Sequence, residues 1–147
     1  MSVLWKRRPG TGNTAAGLSV DPVMATQDLT AAKFEETIAD NDIVLVDFWA
    51  SWCGPCRAFA PTFASVSEKH PDVVFAKVDT EAEQQLAAAA QIRSIPTLMA
   101  FKKGTLVFNQ PGALPAAALE NLVQQVKDLD VEAALAEQAA QGKPEQL

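Results

Sequence analysis

The sequence predicts an α/β fold: a mixed central sheet, parallel strands plus an antiparallel hairpin, flanked by helices. Three observations carry this. Two short apolar runs, residues 43–49 and 73–78, are separated by a long helical stretch, which is the strand–helix–strand pattern of a parallel crossover. Residues 97–101 and 106–108 are apolar runs on either side of Lys102-Lys103-Gly104-Thr105, which reads as a hairpin. A last amphipathic stretch begins after Pro115, a residue suited to the first turn of a helix.

The elements follow in order. Residues 1–23 are rich in Gly, Thr and Pro without periodicity and read as a flexible leader. Met24 precedes the first organised segment and is a candidate alternative start, which N-terminal mass spectrometry of the native protein would check. A helix begins at Leu29-Thr30, with Thr30 as its N-cap and Phe34 and Ile38 four apart on one face, and Asp40-Asn41-Asp42 ends it. Residues 43–49 are apolar except for Asp47, as expected of a central strand buried on both faces. A helix then runs to about Lys69, with Pro61 inside it predicting a kink. His70-Pro71-Asp72 is a turn, and residues 73–78 form a second buried strand broken by Lys77. Residues 81–91, with an alanine run at 87–90, read as helix. Pro111-Gly112 reads as a turn, the helix after Pro115 extends to about Leu129, and residues 131–141 form an extra helix before a polar tail.

The chain has 147 residues, net charge -6 and a pI near 4.7. The acidity is concentrated after residue 20, because the first 20 residues hold Lys6, Arg7 and Arg8 and no acid. An acidic domain argues against nucleic acid as a partner. No apolar stretch approaches the roughly 18 residues of a membrane span. Lys6-Arg7-Arg8 is followed by Pro9-Gly10, where a signal peptide needs an apolar core, so the expected location is the cytoplasm.

The only two cysteines lie in Trp52-Cys53-Gly54-Pro55-Cys56, directly after the first buried strand. A thiol at a strand-to-helix junction meets free N–H groups and the positive end of the helix dipole, which favour the thiolate, the nucleophile of disulfide exchange. A second thiol one turn deeper can close a disulfide with it. Gly54 leaves room for a partner's backbone, and Pro55 needs no N–H partner at the helix start. The competing readings of Cys-x-x-Cys are half a zinc site or two packed thiols. Zinc needs about four ligands, and beyond these thiols the chain offers a single imidazole, His70, so no metal is expected. Asp47, an acid in a buried strand, should have a raised pKa and is a candidate for general acid–base work; the competing reading is an Asp exposed by alternation or placed at a bulge.

The stretch from Val44 through Asp47-Phe48-Trp49-Ala50 to Trp52-Cys53-Gly54-Pro55-Cys56 resembles the active site of the thioredoxin family. Ala60-Pro61, Ala76-Lys77-Val78-Asp79, Ile92-Arg93-Ser94-Ile95-Pro96-Thr97 and Gly112-Ala113 follow in that family's order and spacing. The resemblance covers residues 24–130 and leaves 1–23 and 131–147 outside. It implies a three-layer sandwich and a protein-disulfide reductase in which Cys53 attacks, Cys56 resolves, Asp47 exchanges a proton with Cys56 and Lys77 pairs with Asp47. It implies that Pro96 is the cis-proline facing the cysteines and that Trp52, Gly54, Pro55, Ile95, Gly112 and Ala113 form a flat apolar substrate patch. Trp49 and Pro61 are structural supports in this scheme. No bound cofactor is implied: electrons come from NADPH through a separate thioredoxin reductase, and the partners are that reductase and disulfide-containing proteins, met by a monomer.

Three departures stand out: Arg57 for a lysine, Ser94 for a glycine, and Thr80 where relatives often carry an apolar residue that meets partners. Two other readings compete with a reductase. An exported oxidase or isomerase would need a signal sequence, and the Gly-Pro dipeptide is less suited to it than Gly-His. A docking module would use the extra C-terminal helix and leave the dithiol incidental.

Overall fold

The computed structural model describes residues 25–141; the expected leader, the Met24 start and the polar tail lie outside the described residues. The elements are β1 (Thr26–Asp28), α1 (Ala31–Asp40), β2 (Ile43–Trp49), α2 (Gly54–Glu68), β3 (Val74–Asp79), α3 (Gln84–Ala89), β4 (Thr97–Lys102), β5 (Thr105–Pro111), α4 (Ala116–Asp128) and α5 (Val131–Gln141). One five-stranded sheet has the order β1-β3-β2-β4-β5. β3 is parallel to β1 and β2, while β4 is antiparallel to β2 and β5, so the sheet is mixed as expected.

β2 sits in the middle, and every residue from Ile43 to Phe48 is buried. Its side chains alternate between two cores. Ile43 and Leu45 join Phe59, Phe63 and Val66 of α2 and Leu119, Val123 and Val126 of α4. Val44, Val46 and Phe48 join Ile38 of α1, with Phe34 and Leu86 packed alongside. Helices therefore cover both faces, giving a three-layer sandwich.

Several elements differ from the expectation. β1 was not predicted: it is three residues long, is paired only to β3, and lacks an apolar pattern because it is mostly exposed. The helix expected over 81–91 is confined to Gln84–Ala89, since the Asp79 carboxylate accepts the N–H groups of Glu81 and Ala82 and holds a turn there. α3 ends in a Schellman pattern, with Ile92 N–H donating to Ala87 O and Gln91 at φ 60°, a left-handed position where glycine is the usual residue. α2 continues through the exposed Pro61. The expected turn at Pro111-Gly112 begins one residue later, because Pro111 is still in β5. Pro115 is the N-cap of α4 rather than a residue of its first turn.

The hairpin tip is the two-residue turn Lys103-Gly104, both at positive φ, which matches the twist of the flanking strands. Lys102 belongs to β4 and not to the turn. It is buried, and its ammonium donates to the carbonyls of Val126, Lys127 and Leu129 at 2.7–2.8 Å, satisfying the free C-terminal end of α4 just before α5. Among the described residues no helix is long and apolar enough to cross a membrane.

Candidate active site

β2 delivers the chain to the site at its C-terminal end. Cys53 is the N-cap of α2, with Gly54 and Pro55 filling the first turn. Its Sγ accepts the N–H of Cys56 at 3.1 Å, so sulfur takes the place that a capping oxygen holds in other helices. This is the N–H donation that stabilises negative charge on a thiolate. Cys53 and Cys56 are joined in a disulfide, with their Cα atoms 5.2 Å apart. Cys53 is 4% exposed and Cys56 1%, and Cys53 alone of the two faces the cleft described below. A Cβ on Gly54 would meet nothing within 4 Å, so the space over the first turn is open.

Trp49 and Ile95 pack against Ala50 and the two cysteines. The Ile95–Pro96 bond is cis. Ile95 O lies 3.8 Å from Cys53 Sγ, which places the free backbone edge of this loop beside the reactive sulfur. Gly112 N–H donates to Pro96 O at 2.7 Å, and the φ of 104° at Gly112 is one that L side chains rarely adopt. Ala113 follows and is exposed.

Asp47, Trp49 and Lys77 occupy the sheet face covered by α2, by alternation with Leu45 and Phe75. Asp47 is 1% exposed, and neither carboxylate oxygen has a hydrogen-bond partner among the described residues. Burial pushes its pKa up to about 7, against the opposing pull of the Lys77 charge. Asp47 and Lys77 are register partners across β2 and β3, but the ammonium of Lys77 sits 4.7 Å from the centre of the Trp49 ring instead of on the carboxylate. Its effect on Asp47 is exerted through space. The Trp49 indole N–H is likewise buried without a partner.

Around Cys53 the surface is concave, with a cleft of about 510 Å³. Trp52, Gly54, Pro55 and Ile95 line it, as the sequence suggests. Its other wall is Thr80, Ala87, Ile92, Arg93 and Ser94, while Gly112 and Ala113 do not line it. The cleft extends from Cys53 toward α3. Thr80 and Ser94 were visible in the sequence as departures; Ala87, Ile92 and Arg93 carried no separate signal. Trp52 is 65% exposed, held by an indole hydrogen bond to Glu81 at 3.1 Å. Among the described residues no three His, Cys, Asp or Glu side chains converge as a metal site would require.

The thioredoxin family model matches residues 25–125. The chain belongs to the thioredoxin family. It is 52% identical over 120 residues to a Streptomyces coelicolor protein named "Putative thioredoxin 2", covering 80% of this chain and 90% of that one. It is 44% identical over 109 residues to "Thioredoxin C-3" of Corynebacterium nephridii, covering 74% of this chain and 72% of that one. Among solved structures, a mutant thioredoxin from Halobacterium salinarum superposes with a TM-score of 0.67 at 32% identity, covering 76% of this chain and 98% of that one. The oxidised mitochondrial thioredoxin 3 of Saccharomyces cerevisiae gives 0.63 at 32% identity, covering 74% and 100%. A paired Cys53–Cys56 site within this family makes the protein a thiol–disulfide oxidoreductase with protein-disulfide reductase activity.

Proposed function

We propose that the protein is a general dithiol reductant of the cytoplasm, working as a monomer and re-reduced by an NADPH-dependent thioredoxin reductase, with no cofactor of its own. The observation that carries this reading is the disulfide at the N-terminus of α2, with Cys53 facing the cleft and Cys56 behind it.

In the reduced protein the Cys53 thiolate attacks one sulfur of a substrate disulfide. A Cys53–substrate bond forms, the substrate S–S bond breaks, and the other substrate sulfur leaves as a thiolate. Asp47 takes the Cys56 proton, a transfer for which a carboxyl of pKa about 7 is well matched near neutral pH. The Cys56 thiolate then attacks Cys53 Sγ, closing the internal disulfide and expelling the second substrate thiolate. Two electrons pass to the substrate and are restored by NADPH through the reductase. Lys77 tempers the rise in the Asp47 pKa, and Trp49 and Pro61 support the helix and loop that hold the thiols. Trp52, Gly54, Pro55, Ile95, Pro96, Gly112 and Ala113 receive the substrate backbone as a short added strand, with the Gly112 N–H tied to Pro96 O.

The test is insulin reduction coupled to thioredoxin reductase and NADPH oxidation. The proposal expects turnover that requires all three components. A protein reduced by dithiothreitol but not by any thioredoxin reductase would contradict the proposed electron source, and a strongly oxidising dithiol potential would favour the oxidase reading instead.

A further inference from the structure

Among the described residues, Arg93 is the one charged residue lining the cleft. It is exposed, and the ion pairs among the described residues engage Lys69, His70 and Lys127 but not Arg93. The acids nearest in sequence to the cleft already serve N–H donors. Asp79 holds Glu81 N and Ala82 N, Glu81 holds the Trp52 indole, and Glu83 accepts Ala31 N–H at the start of α1. The neighbouring Ser94 lines the same wall. Thr80 uses its own hydroxyl on Trp49 O at 3.0 Å and so offers no free donor. An otherwise acidic protein therefore places an exposed arginine that makes no ion pair among the described residues, with a serine next to it, along the far wall of its substrate cleft, two residues from the backbone edge at Ile95. A guanidinium flanked by a hydroxyl is a carboxylate receptor.

We propose that Arg93, with Ser94, is a specificity-determining residue that selects protein disulfides bearing an acidic side chain within two residues of the attacked cysteine. This rests on the substrate-binding reading above: with the attacked sulfur at Cys53 and the substrate strand along Ile95, a neighbouring side chain enters the cleft toward α3. The selection acts on encounter and binding, and leaves the exchange chemistry of Cys53 and Cys56 as written.

The experiment uses the pre-reduced full-length protein in single turnover, with symmetric disulfide dimers of a short peptide carrying Glu, Gln or Lys on both sides of its cysteine. Partly exposed ion pairs change affinity by about threefold each, so the rate constant for the Glu peptide should exceed that for the Lys peptide by about tenfold at low salt. In Arg93→Gln this ratio should fall to near one, and in Arg93→Glu it should invert. Lys103→Gln, at the hairpin tip, removes the same net charge and should keep the wild-type ratio. The ratio cancels effects common to all three peptides, including loss of folded protein. A wild type indifferent to peptide charge, an Arg93→Gln that keeps the preference, or a Lys103→Gln that loses it equally would overturn the proposal. Reduction of the Gln peptide with no charge preference leaves the reductase reading standing, whereas failure to reduce any peptide overturns both.

Discussion

The two ends of α2 handle polar groups in opposite ways. At its start, by the disulfide, Asp47 and the Trp49 indole are buried without partners. At its end, polar groups are paired at the surface: His70 bridges Glu120 at 2.7 Å and Lys127 at 2.9 Å, Lys127 reaches Asp72 at 3.2 Å, and Lys69 reaches Glu120 at 3.5 Å. An ammonium can only donate, so Lys127 donates to His70 Nδ1, while His70 Nε2 faces Glu120. Burial raises the Asp47 pKa, while hydrogen bonding to His70 lowers that of Glu120, with Lys69 adding a smaller pull in the same direction. An unpaired buried carboxyl costs stability and gains a pKa fit for proton transfer; a paired exposed one gives a little stability and no reactivity.

This contrast can be broken most forcefully at the thiols. Cys53→Ser should reduce insulin disulfide reduction to the uncatalysed background while leaving the fold intact, as circular dichroism would show. Retained reduction would mean that chemistry is not confined to this end of the helix.

Asp47→Asn comes next. The native Asp47 holds a proton between about pH 4 and 7 that the unfolded chain has lost, so wild-type stability falls as pH rises through that window. The variant lacks this penalty. Denaturant melts of the oxidised proteins should show Asp47→Asn gaining on wild type from pH 4 to pH 8 by at most about 4 kcal/mol, at about 1.4 kcal/mol per pKa unit. The same variant should slow resolution of the mixed disulfide by about a hundredfold near neutral pH. A stability difference independent of pH would show that the carboxyl is not buried as described.

The smallest effect belongs to the far end. Glu120→Gln should cost less than about 1 kcal/mol, and less again at high salt. Its sign in acid is opposite to that of Asp47. The Glu120 pKa is depressed, so its contribution is present above its ordinary value and disappears as pH falls through the folded one. A loss of several kcal/mol would make this surface network part of the structural core.

Much of the reactive end was legible in the sequence. An acid within an apolar run read as a buried one ahead of an exposed or bulged one, and a lone Cys-x-x-Cys after such a run marked the helix start. The family resemblance put Lys77 beside Asp47, although it did not show that the ammonium would sit over the Trp49 ring. What escaped depends on contacts between distant segments. β1 is held by pairing with β3 and carries no apolar signature of its own. Lys102 reads as a turn lysine until the α4 carbonyls are brought to it. The cleft wall at Ala87, Ile92 and Arg93 is built around the end of α3, and the Asp79 side chain that holds the turn before that helix gives no periodic signal.

The most direct test of the account is the fate of Cys56→Ser mixed with a protein disulfide. If Cys53 attacks from the cleft and Cys56 resolves from behind it, mass spectrometry should find a stable one-to-one adduct linked through Cys53, with no multiple turnover. Rapid turnover without an adduct, or an adduct that survives when Cys53 is replaced as well, would contradict the division of labour between the two thiols.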